Sequence, residues 1–184
     1  MNLPNKLTLL RVIMIPIFLV VFLCPLGIDR QVARYIAAAI FCIASATDAL
    51  DGHIARKYNL VTNFGKFMDP LADKLLVCSA MIALIGVSDA YVALPSWMVI
   101  IIIAREFIIT GFRTIAVEQN VVIAASKWGK LKTISQMLML ILLLLNINNT
   151  ILIYASIVLI VLSVVLTVIS AVDYIVKNRA VLKE

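Results

Sequence analysis

Thr133 to Val172 reads TISQMLMLILLLLNINNTILIYASIVLIVLSVVLTVISAV, a run without a single charged side chain. A helix that crosses a bilayer needs about 20 predominantly apolar residues, so this run holds two. Asn146-Ile147-Asn148-Asn149-Thr150 supplies the turn residues that divide it. The pair is therefore read as a helical hairpin in lipid. Asn148-Asn149-Thr150 also matches a glycosylation sequon, but a three-residue match is common by chance, and the turn is the reading kept.

The rest of the chain agrees. Of 184 residues, 64% are hydrophobic and 14% charged, with a mean hydropathy of +1.10. Soluble domains are roughly 45–50% apolar and about 25% charged, which excludes an ordinary water-soluble fold. Sixteen Lys+Arg against ten Asp+Glu give +6, the inner-leaflet bias of a membrane protein, and no basic-aromatic motif for nucleic acid accompanies it. Cys24, Cys42 and Cys78 sit singly in apolar runs and are expected as small core residues rather than disulfide partners or metal ligands. Met1 to Cys24 begins like a signal peptide, but no small-x-small cleavage site follows, and Pro25-Leu26-Gly27 reads as a turn after a retained helix.

Uncharged runs upstream give Val12–Ile28 as a first span, a hairpin carrying Asp29, Arg30 and Arg34, then Tyr35–Thr47, Leu75–Ser88 and Ala90–Ala104. The last three fall short of the roughly 17–25 residues a crossing needs. To cross, they must carry Asp48, Asp51, Asp73, Arg105 and Glu106 into the membrane. Ionisable groups at that depth mark function by default. The expectation is an all-α, polytopic integral membrane protein of six transmembrane helices around a cytoplasm-facing polar cavity. It forms one membrane domain over 1–184, entered by a short interfacial segment at 2–10. With the N-terminus inside, most Lys and Arg residues are cytoplasmic and only Arg30 and Arg34 fall outside.

Between spans two and three the chain reads Asp48-Ala-Leu-Asp51-Gly52-His-Ile-Ala55-Arg56, then eight residues, then Gly65-Lys-Phe-Met-Asp69-Pro-Leu-Ala-Asp73. At about 100° per residue, Asp48 and Asp51 lie about 60° apart on a helix, and Asp69 and Asp73 about 40° apart. Each pair thus projects two carboxylates from one face. Asp69-Pro70 reads as a helix N-cap followed by the first helical residue. Four converging carboxylates need a counter-charge that Arg56 alone does not supply. All-oxygen ligation suits Mg²⁺ or Mn²⁺, although carboxylates also bind Zn²⁺. Four acids suggest two divalent metal ions about 3.5–4 Å apart, the arrangement that clamps a phosphoryl group during in-line displacement. Gly52 and Gly65 allow close approach of a ligand or a neighbouring helix. His53, the one histidine, is read as a neighbour pointing elsewhere. A phospholipase-D-like mechanism is excluded because it needs two histidines.

This segment resembles the CDP-alcohol phosphatidyltransferases, matching every fixed position of their motif D-x2-D-G-x2-A-R-x8-G-x3-D-x3-D. The resemblance implies that Asp48, Asp51 and Asp69 hold metal engaging the CDP diphosphate. It implies that Asp73 is the general base and also touches metal, and that Gly52, Ala55 and Arg56 line the cytidine-diphosphate site. It further implies a homodimer in the bacterial cytoplasmic membrane, with the active site facing the cytoplasm.

For the acceptor, Glu106 and Arg113 are seven residues apart on span four and about 20° off one line, with Arg105 nearby. Ser126-Lys127-Trp128-Gly129-Lys130-Leu131-Lys132-Thr133 then forms a cationic turn. Glu106 with Arg113 also reads as a buried salt bridge, and the lysines as contacts to anionic headgroups. Several cations beside a metal-balanced site favour an acceptor bearing phosphate, with Arg105, Arg113, Lys127 and Lys130 as its ligands. These stretches, with Asn2-Leu3-Pro4-Asn5-Lys6-Leu7-Thr8-Leu9-Leu10-Arg11, are similar to the bacterial branch of the family that uses CDP-diacylglycerol as donor and glycerol 3-phosphate as acceptor. That places Asn5, Thr8 and Arg11 near the donor headgroup, unless an interfacial anchor explains them. The rivals are transfer to inositol phosphate, serine or phosphatidylglycerol. From another class, a divalent-metal transporter would place its acids near the bilayer midplane.

Overall fold

The computed structural model of the chain describes residues 3–24, 27–57, 63–119 and 126–179, the side chains at 3–4, 48–57, 63–67, 69–70 and 117–118 excepted. Among the described residues there are six helices and no strand: α1 (Leu3–Leu23), α2 (Arg30–Lys57), α3 (Asn63–Leu84), α4 (Ser96–Glu118), α5 (Lys127–Leu145) and α6 (Thr150–Lys177). Asn5–Leu23 within α1, all of α5 and all of α6 are long and apolar enough to cross a membrane.

The radial distribution of side chains on α6 is that of a protein solvated by lipid. Ile151, Val158, Val165 and Val172, spaced seven apart, are exposed, whereas Ser156, Ser163, Thr167 and Ser170 are buried. Water would favour the reverse, because burying apolar area drives folding there. Against hydrocarbon no such force separates helices, and small or hydroxylated residues gather where helices pack and bond. Accordingly Gln136 Nε2 donates to Thr167 Oγ1 at 3.2 Å and Ser163 Oγ to Ser135 Oγ at 3.3 Å. Thr167 and Ser170 return their hydroxyls to carbonyls of their own helix.

Two compact units make up the chain, Met1–Ala90 with Leu143–Asn146, and Tyr91–Leu142 with Ile147–Glu184. In the first, α1 packs on both α2 and α3, and α2 on α3. Alanine lets the backbones approach: Ala33, Ala37 and Ala44 of α2 and Ala72 and Ala80 of α3 are all fully buried. Phe18 and Phe22 of α1 and Phe41 of α2 fill the space between them, with Phe18 and Phe41 centroids 6.2 Å apart. Pro16 sits inside α1 and removes one backbone donor, a loss that buried membrane helices tolerate.

Several boundaries differ from those read in the sequence. Residues 3–10 are the first turns of α1, continuous with the rest of that helix. Helix α4 begins at Ser96, not at the Ala90 read from the uncharged run, because Pro95 cannot sit in a helix interior without breaking its ladder. Arg30 and Arg34 belong to α2 instead of a hairpin, and Asp29 opens that helix by accepting from the Gln31 and Val32 amides at 2.9 and 3.2 Å.

Arg34 also explains how so short an uncharged run can lie in a 28-residue helix. Its side chain is fully buried, and its Nε and Nη2 donate to the two carboxylate oxygens of Asp89 at 3.2 and 2.8 Å. Nη1 reaches the Leu143 carbonyl at 3.4 Å. Arg30 meets the same carboxylate at 3.4 Å and donates to the Phe22 carbonyl. Both guanidiniums lie over the Phe22 ring, 5.2 and 5.6 Å from its centroid. The charge that the sequence seemed to leave outside the span is therefore carried into the bundle as a paired one. Asn146, at φ 45°, completes this end by donating to the Asp89 carbonyl at 3.0 Å. Gln31 Nε2 does the same for the Leu145 carbonyl at 2.7 Å.

Asn149 caps α6, accepting on Oδ1 from the Ile151 and Leu152 amides at 2.9 and 3.4 Å. Asn149→Ala is expected to lower stability by about 1 kcal/mol, read as a fall in the thermal midpoint in detergent. An unchanged midpoint would mean that water satisfies those amides equally well.

Candidate active site

The helix connections bring the acidic motif to one end of the first unit. Short links make α1 and α2, and then α2 and α3, antiparallel neighbours. The C-terminal end of α2, the start of α3 and the start of α1 thus share an end. Asp48 and Asp51 lie on one continuous helix, as their spacing requires. Asp69 and Asp73 lie on the next, but α3 begins at Asn63, so Asp69 is inside the helix and not its N-cap. Pro70 therefore lies inside α3 and has no N–H to donate to the residue 66 carbonyl.

The side chains of Asp48, Asp51, Gly52, Ala55, Arg56 and Asp69 lie outside the described residues. Asp73 is described, half-buried between the buried Ala72 and Leu76. Among the described residues no group of three metal-ligating side chains occurs. The donors that the backbone brings to this end are carboxylates from two adjacent helices, the oxygen-only set a hard divalent cation takes.

Asn5, Thr8 and Arg11 begin the buried stripe of α1, with Asn5 7% exposed and the other two not at all. Arg11 Nε donates to the Ala44 carbonyl at 3.2 Å, and Thr47 Oγ1 donates to the same oxygen at 2.7 Å. Ala44 lies one turn before Asp48. A buried cation is thereby fixed within a helical turn of the acidic pair.

The second unit carries the basic groups. Glu106 of α4 accepts from Lys132 of α5 and, at 3.2 Å, from Arg105 Nη1. The three side chains are 16%, 5% and 12% exposed. Lys132, which sequence reading divided between site and lipid headgroups, is thus an interior residue. Arg113 does not pair with Glu106; its Nε donates to the Tyr174 hydroxyl at 3.0 Å. α4 packs on α6 here, with Ile109, Phe112, Ala116 and Tyr174 forming the local core. Lys127 and Lys130 are exposed on the first turn of α5, unlike Lys132. Tyr174 has no place in the motif reading, and its sequence signal is position: it continues the buried spacing Ser156, Ser163, Thr167, Ser170 along an otherwise apolar helix.

The family model described as CDP-alcohol phosphatidyltransferase matches residues 1–169. A Bacillus subtilis protein named CDP-diacylglycerol--glycerol-3-phosphate 3-phosphatidyltransferase is 49% identical over 79% of this chain and 77% of its own length. Proteins of the same name from Rickettsia typhi and Haemophilus influenzae are 43% and 41% identical, each over 85% of this chain, and over 84% and 82% of their own lengths. With its acidic motif intact on α2 and α3 and the match running from Met1 to Ile169 within α6, the chain belongs to the CDP-alcohol phosphatidyltransferase family.

Proposed function

We propose that the protein transfers the phosphatidyl group of CDP-diacylglycerol to glycerol 3-phosphate, giving phosphatidylglycerophosphate and CMP. The observation that carries the acceptor assignment is the basic set of the second unit. Among the described residues, Arg105 and Lys132 gather at Glu106 and Arg113 stands at Tyr174. Three cations in one unit suit an acceptor bearing phosphate. The name shared by the relatives supports the same reading.

Asp48, Asp51, Asp69 and Asp73 would hold divalent metal, Mg²⁺ or Mn²⁺ by donor chemistry, which when bound neutralises the donor's diphosphate. Gly52, Ala55 and Arg56 take the cytidine diphosphate, with Asn5 and Thr8 beside it. Asp73 accepts the proton of the acceptor's primary hydroxyl as that oxygen bonds to the phosphorus carrying diacylglycerol. The bond from this phosphorus to the bridging oxygen breaks, and CMP leaves with the electron pair. Arg105 and Arg113 hold the acceptor phosphate, and exposed Lys127 and Lys130 draw anions to the same surface. In this reading all six helices cross the membrane, the site faces the cytoplasm, and the enzyme works as a homodimer.

Purified protein with Mg²⁺ or Mn²⁺ is expected to release CMP only when both substrates are present, and to stop on chelation. CMP release without acceptor would contradict the reading. So would metal flux into proteoliposomes without any transfer.

A further inference from the structure

We propose that Tyr174 is a positioning residue that sets the guanidinium of Arg113 for end-on, two-point binding of the acceptor phosphate. The proposal rests on the reading of Arg113 as an acceptor-phosphate ligand. Tyr174 is 3% exposed, so it acts through Arg113 and does not touch substrate. Its hydroxyl accepts from Arg113 Nε at 3.0 Å, and its ring lies 5.4 Å below the guanidinium carbon.

These two contacts fix different things. A hydrogen bond at Nε anchors one edge of the planar group, while the ring lies within cation–π reach of its central carbon. Nη1 and Nη2 make no hydrogen bond among the described residues. With Nε occupied, the side-on approach is closed and the fork of terminal donors is what remains for an anion.

Tyr174 is itself held firmly. The Phe112 ring meets it edge-on at 5.7 Å and 78°. Asn178 bonds the Tyr174 carbonyl through both its backbone amide, at 3.2 Å, and its side chain, at 2.7 Å. The C-terminal cap of α6 thus falls on the residue that holds Arg113. An arginine on an exposed helix face otherwise loses rotamer freedom on binding, and restraint in advance lowers that cost.

The test is steady-state kinetics of the full-length enzyme with glycerol 3-phosphate and CDP-diacylglycerol varied separately. Tyr174→Phe keeps the ring and its packing and removes only the hydroxyl. It is expected to raise KM for glycerol 3-phosphate by about 3–10-fold, with kcat within about 2-fold and KM for the donor unchanged. Arg113→Ala should raise the acceptor KM more than 10-fold, and adding Tyr174→Phe to it should change nothing further. Arg113→Lys, which has no Nε to hold, should also be insensitive to Tyr174→Phe.

If Arg113→Ala raises that KM and Tyr174→Phe does not, the positioning role is wrong while the acceptor reading stands. If Arg113→Ala leaves the acceptor KM unchanged, the reading of Arg113 fails and this inference with it. Multiplying effects in the double variant, or a Tyr174→Phe loss confined to kcat and thermal midpoint, would make Tyr174 a packing residue only.

Discussion

Asp73→Asn is expected to lower CMP release by about 10³-fold, within the 10²–10⁴ range of a lost general base, while leaving the protein folded. Asn has the volume of Asp, and the position is half-buried on α3 beside Ala72 and Leu76, so packing is conserved. The amide cannot accept the hydroxyl proton, and it is a poorer metal ligand than a carboxylate. Asp73→Glu separates charge from geometry. It retains the carboxylate but moves it outward by one methylene, and a displacement of about 1 Å costs on the order of 10²-fold. Asn is therefore expected to be the worse of the two. Equal rates for Asn and the unaltered enzyme would remove Asp73 from the chemistry.

Asp89→Asn is expected to cause the largest loss of stability while leaving catalysis at low temperature intact. The substitution leaves the Arg34 guanidinium buried without its counter-charge, although Asp89 itself is 41% exposed. Breaking a buried pair from one side costs about 3–5 kcal/mol; with one partner partly solvated, about 2–3 kcal/mol is expected. A lowered thermal midpoint in detergent would report it. The pair sits at the end of α2 opposite Asp48 and Asp51, which is why kcat should be spared.

The pH dependence follows. Hydrogen bonding from Arg34 holds the Asp89 carboxyl below its ordinary value, partial burial opposes this, and the charges of Arg34 and Arg30 add to the lowering. A carboxyl whose pKa is lower folded than unfolded contributes stability that is complete above the unfolded value, about 3.9. That stability is lost as pH falls through the folded value. The unaltered protein should therefore be level in this respect from neutral pH down to about 4 and lose stability below it. The Asn variant should lack that additional fall. An identical acid profile for both would mean that the ion pair contributes nothing.

Apolar length and charge spacing made the helices and the acidic motif legible in advance. The hairpin at Asn146–Thr150 and the two aspartate pairs follow from local rules, residue identity and helical period, that do not depend on distant partners. What sequence reading missed depends on such partners. Arg34 reads as an outside charge until Asp89, far along the chain, comes to meet it. Lys132 looks like its exposed neighbours Lys127 and Lys130 until Glu106 accepts from it. Tyr174 carries no motif, and only the buried spacing of α6 points to it. Helix starts shifted for a related reason. Pro70 looked like a first helical residue, but α3 begins further upstream, whereas Pro95 does stand just ahead of α4.

The proposed activity joins a phosphate-bearing acceptor to the phosphatidyl group of a CDP-lipid. The most direct test is an acceptor panel: CMP release and lipid product from CDP-diacylglycerol with glycerol 3-phosphate, inositol phosphate, serine or phosphatidylglycerol. CMP and phosphatidylglycerophosphate are expected in equal amounts with glycerol 3-phosphate, and background with the others. Faster transfer to serine, inositol phosphate or phosphatidylglycerol would contradict it.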